Sequence, residues 1–99
     1  MYQDNLRKPE EKEKILEKII AQNSTTELAE INFLLRSQEE LENRLKRTWK
    51  RELWERLNQI KAVVQNSAKA LENPQSRSEK QALRTIQCFQ QEREDAIPF

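Results

Sequence analysis

Apolar residues recur along this chain in the three-and-four rhythm of a single helical face, in three separate stretches. Pro9 opens the first. It suits the opening turn of a helix, where a missing N–H is no loss, and Glu10, Glu11 and Glu13 complement the positive end of the dipole. Ile15, Leu16, Ile19 and Ile20 share one stripe, so the predicted element is a helix over 9–22 behind a loose segment 1–8. The run QNSTTE interrupts it. Ser24 and Glu27 there have the S-x-x-E spacing of a capping box, in which hydroxyl and carboxylate reciprocally satisfy free backbone N–H groups.

From Thr26 to Asn73 there is neither Gly nor Pro. Leu34, Leu41, Leu45, Trp49, Leu53, Leu57, Ile60, Val64 and Leu71 carry one stripe through the whole stretch, which predicts a long helix over 26–73. Unbroken, it would be about 70 Å long at 1.5 Å per residue. Between Leu45 and Leu57 every step is four residues, a stutter that unwinds a left-handed supercoil and lets the helix run straight. Asn43 and Asn66-Ser67 are the places where propensity is compatible with a kink or break. Asn73-Pro74 ends the element. Ser76 and Glu79 repeat the capping-box spacing, and Ala82, Leu83, Ile86 and Phe89 give the stripe of a last helix over 76–94, followed by a tail at 95–99. The fold class expected is all-α: one domain, a helical hairpin or three-helix unit with one long central helix.

Composition adds a partner to this picture. Hydrophobic letters make up 35% of 99 residues, below the usual globular share of about 45–50%. So short and polar a chain buries little core alone. The stripe Leu34, Leu41, Leu45, Trp49, Leu53, Leu57, Ile60 and Val64 is therefore expected to pack on the first and last helices and on a second copy. Charge favours an antiparallel homodimer. Residues 1–43 hold 6 Lys/Arg against 10 Asp/Glu, and residues 44–99 hold 12 against 7. Opposite halves attract when two copies lie head to tail.

Candidate chemistry concentrates in RLKRTWKRELWERL, from Arg44 to Leu57. On a helical wheel Trp49 joins Leu45, Leu53 and Leu57, which predicts a core or interface position. Trp54 falls beside Arg47, off that stripe. Arg44, Arg47, Arg51 and Trp54 are the candidate partner-binding residues. Their functional role is contact with a larger protein, because Trp and Arg are enriched at interface hot spots; the plainer reading is a solvated face whose arginines pair with Glu40, Glu55 or the acidic stretch from Glu27 to Glu42 of a partner. An adaptor, regulator or assembly factor is the function that such a contact implies. The alternative is a nucleic-acid-binding regulator, with Lys50 and Arg56 joining the same four residues to hold phosphates and stacked bases. A sequence pI of 7.8 weighs against it, since dedicated nucleic-acid domains usually exceed about 9. Glu52 and Glu55 interrupt the basic run and argue against a helix lying on anionic lipid.

Other chemistry is sparse. Without His the chain lacks the commonest general base and metal ligand, and without Gly it has no phosphate-cradling loop. Glu10/Glu13 and Glu39/Glu42 have the one-turn spacing of carboxylate metal sites, yet neither pair lies on an apolar stripe, so both read as solvated charge. Cys88 has Arg84 one turn before it but no second thiol and no imidazole. No enzyme activity, cofactor or metal is expected. No apolar run exceeds three residues, which predicts no membrane span and no signal-peptide core. With a lone cysteine as well, a soluble, cytoplasmic protein is expected. The terminal Ile97-Pro98-Phe99 is either a short docking peptide or a cap over the end of the bundle.

Overall fold

A computed structural model describes residues 9–96. Ile97-Pro98-Phe99 and the segment 1–8 lie outside the described residues. The fold is all-α, with four helices among those residues: α1 (Pro9–Gln22), α2 (Leu28–Arg47), α3 (Arg51–Ala70) and α4 (Arg77–Ala96). None of them is long and apolar enough to cross a membrane.

The first helix has the expected bounds. Asn23 closes it in the left-handed region at φ 68°, its N–H donating to the Ile20 carbonyl at 3.0 Å. In a chain without Gly, Asn is the residue that tolerates this conformation best. The expected capping box at Ser24 and Glu27 does not form. Glu27 is the N-cap of α2 and makes no side-chain cap bond. Thr25 serves instead: its hydroxyl accepts the Glu27 N–H at 3.2 Å and donates to the Glu30 carboxylate. The second capping signal is met in part. Ser76 Oγ accepts the Glu79 N–H at 3.2 Å, but the Glu79 carboxylate reaches back to the Gln75 N–H, one residue earlier than a strict box requires.

The largest correction concerns the long helix. The chain turns back at Thr48-Trp49-Lys50, where Thr48 (φ −146°, ψ 109°) and Lys50 (φ −136°, ψ 136°) are extended. The longest dimension of the fold is 41 Å, too short for the expected rod. The expected three-helix unit is thus a four-helix arrangement. Burial supplies the reason. Folding back lets α2 pack along α3, so that one chain covers most of its own stripe, and α4 then packs on both.

Leu34, Leu41, Leu57, Ile60 and Val64 are buried with Leu16 and Ile19 of α1 and Ala82 and Ile86 of α4. Leu45 and Leu53 are partly buried against this core. Trp49 is not in it. Placed at the turn, it is 63% exposed, which corrects its expected place in the stripe. Polar bonds fix the relative directions of the helices. Near the start of α1, Glu13 meets Arg56 of α3, while just past its end the Asn23 carbonyl accepts from Asn66 Nδ2 at 3.0 Å. α1 therefore runs in the same sense as α3, antiparallel to α2. Near the C-terminal end of α4, Arg93 meets Glu42 and Glu39 of α2 at 3.0 and 3.5 Å, so these two helices also share a direction.

Candidate interaction surface

The turn from α2 to α3 gathers the candidate residues at one corner. Arg44 and Arg47 lie in the last turn of α2, where cations complement the negative dipole end. Arg51 is the first residue of α3, and Trp54 lies one turn further on. Trp54 is 48% exposed, so both tryptophans stand in solvent on either side of Lys50 and Arg51. Leaving about half of each side chain wet forgoes roughly half of the 150–250 Å² that an aromatic residue can bury. They are the exposed large hydrophobics of the described residues.

Ion pairing divides the corner. Arg51 bonds Glu55 at 3.3 Å, a fully surface i,i+4 pair that constrains little. Arg56 turns away from the corner toward Glu13 and, at 3.9 Å, Glu17 of α1. Arg44, Lys46, Arg47 and Lys50 are exposed and make no ion pair among the described residues. The structure thus brings Arg44, Arg47, Arg51 and Trp54 to one region, joins Lys46, Lys50 and Trp49 to them, and removes Arg56. Sequence periodicity missed Trp49 as a surface residue because the stripe runs through it without a break. Next to the corner, an open cleft of about 460 Å³ between α1, α2 and α3 is lined by apolar Leu16, Phe33, Leu41 and Leu53 and by side chains of both charges, Arg44 and Arg56 as well as Glu40 and Glu52 among them.

Three of the four carboxylates of the acidic pairs are engaged elsewhere. Glu13 is held by Arg56, and Glu39 and Glu42 by Arg93, whose guanidinium also stacks 3.7 Å from the Phe89 ring centre. Among the described residues no three His, Cys, Asp or Glu side chains are grouped to hold a metal ion. Cys88 is exposed and free on α4, beside a shallow groove lined by Leu35 and Phe89. Neither a family model, a curated protein nor a solved structure matches this chain.

Proposed function

We propose that this protein is a small helical interaction module, an adaptor, regulator or assembly factor, whose α2–α3 corner takes an acidic segment of a larger protein. One observation carries the reading: Trp49 and Trp54 stand exposed among four cations, Arg44, Lys46, Arg47 and Lys50, that have no ion-pair partner among the described residues. Carboxylates are what unpaired guanidinium and ammonium groups attract, and Trp with Arg is the composition of interface anchors. The stripe is largely covered from within, so the corner is the surface that offers a partner the most.

Nucleic acid is the second reading, supported by the same tryptophans as stacking platforms. Two features weigh against it. Glu52 and Glu55 sit in the first turns of α3, where they repel phosphate, and the chain's net charge is only +1.

Affinity capture from native lysate on wild-type protein and on Arg47→Glu separates these readings. Nuclease-resistant retention of acidic proteins by wild type alone supports the module. Equal retention by both proteins contradicts it. A mobility shift with generic duplex or single strands at about 50 mM salt, weakening steeply as salt rises, transfers the corner to the nucleic-acid reading.

A further inference from the structure

We infer that the α2–α3 hairpin is a hinge that opens into one continuous helix and closes on a second copy of this chain, giving an antiparallel dimer that exchanges α3 and α4. The inference is independent of the acidic partner proposed for the corner.

Three observations carry it. First, nothing local holds the turn. Thr48, Trp49 and Lys50 include no Gly or Pro, so none of the three residue types bars a helix, and they are flanked by helices on both sides. Lys50, the N-cap of α3, makes no side-chain cap bond, and neither Lys nor a bare backbone is a good cap. Lys50 and Arg51 also stand at the positive end of the α3 dipole. A continuous helix removes that end and supplies the free N–H and C=O groups of both termini with partners.

Second, the apolar stripe passes through the turn in register. Leu45, Trp49, Leu53 and Leu57 are each four residues apart, so a helix continued through Thr48-Trp49-Lys50 carries Trp49 on the same face as its neighbours. The hairpin breaks this face and leaves Trp49 in solvent.

Third, the stripe is symmetric about Trp49. Leu45 and Leu53 stand at equal separations from it, as do Leu41 and Leu57, and Leu34 and Val64. Folding one chain back at Trp49 sets these pairs opposite each other. Laying two straight helices antiparallel, with both Trp49 residues at the centre, sets the same pairs opposite each other between copies. The core is rebuilt in either form, and only the turn differs. Such hairpins with short connecting turns are the setting in which identical elements exchange between protomers. The balance is then one of concentration, because contacts made within one chain must be remade between two.

Full-length protein is warmed until the hairpin opens, cooled slowly at millimolar concentration, and sized by light scattering. Wild type is expected to yield a dimer that persists on dilution and relaxes slowly to monomer. Trp49→Pro bars a continuous helix, while Thr48 already has the extended backbone that precedes a proline. It is expected to lower the dimer association constant by about a hundredfold or more, and Thr48→Ala with Lys50→Ala to raise it about tenfold. A wild type that stays monomeric, or a dimer that Trp49→Pro leaves unchanged, overturns the inference. A second measurement does not depend on Trp49→Pro folding. Cys88 lies beside Leu35 of α2, so a spin label on Cys88 broadens the Leu35 amide signal. In dimers formed from spin-labelled and isotope-labelled chains, exchange of α4 carries that broadening from one chain to the other. Mixed dimers without it contradict the exchange.

Discussion

The Ser67 hydroxyl accepts the backbone N–H of Thr25 at 2.9 Å, across 42 positions of sequence, and both residues are buried. Together with Asn66, which bonds the Asn23 carbonyl, it fastens the connection between α1 and α2 to the far end of α3. Ser67→Ala leaves the Thr25 N–H buried and without its partner. A cost of about 1–3 kcal/mol is expected, seen as a lower urea midpoint with an unchanged slope. An unchanged midpoint removes this contact from the account.

The division between core and corner makes an opposite pair of predictions. Ile60 is fully buried, so Ile60→Ala is expected to cost about 2–5 kcal/mol. Trp49→Ala, at the exposed corner, is expected to stay within about 0.5 kcal/mol of wild type. Urea unfolding of both variants at low micromolar protein checks the contrast. Comparable losses place Trp49 in the core after all.

That contrast also marks what the residues disclosed by themselves. Pro9, Asn73-Pro74 and the Ser76/Glu79 spacing act on their neighbours, so both bounds of α1 and the start of α4 are legible, whereas α3 ends at Ala70, three residues short of the expected Asn73. The turn at Thr48-Trp49-Lys50 is not legible. Its residues include no helix breaker, and contacts between distant parts of the stripe make folding back preferable. From one strand of sequence, a stripe covered by its own chain and a stripe covered by another copy look the same. Trp49 was misplaced for that reason. Arg44, Arg47, Arg51 and Trp54 are candidates on charge and residue type alone, whereas the pairing of Arg56 depends on Glu13, 43 positions away. The sequence marks Asn66-Ser67 only as a place for a break, yet α3 runs through it unbroken, and the bond of Ser67 to Thr25 gives no signal there, since a buried serine is recognised only by what it bonds.

Asn23 offers a test of backbone strain. At φ 68° a side chain with a Cβ is crowded, Asn less than most. Asn23→Ala is expected to cost about 1–2 kcal/mol, because Ala lacks the local hydrogen bonding that lets Asn visit this region. Asn23→Gly is expected to be neutral or stabilising, since Gly meets no such penalty. The bond to Asn66 uses the backbone carbonyl and survives both changes. Thermal melts of the two variants should therefore move apart. A fall with Gly as large as with Ala contradicts the strain argument.

Arg93 joins α4 to α2 through Glu42 and Glu39, and its side chain and that of Glu42 are 29% and 23% exposed. Partial burial makes this pair stronger than the open Arg51–Glu55 pair on α3. A double-mutant cycle of Arg93→Met and Glu42→Gln is expected to give a coupling of about 1 kcal/mol, and the cycle of Arg51→Met with Glu55→Gln roughly none. Equal couplings contradict the distinction.

Trp54→Phe leaves Trp49 as the single tryptophan, and acrylamide quenching of its fluorescence in dilute solution asks the decisive question of the fold. With the chain turned back on itself, Trp49 is predicted to emit at long wavelength and to be quenched nearly as readily as free tryptophan. A blue-shifted emission with strong protection from acrylamide would put Trp49 inside an apolar seam and contradict both the hairpin and the exposed corner built upon it.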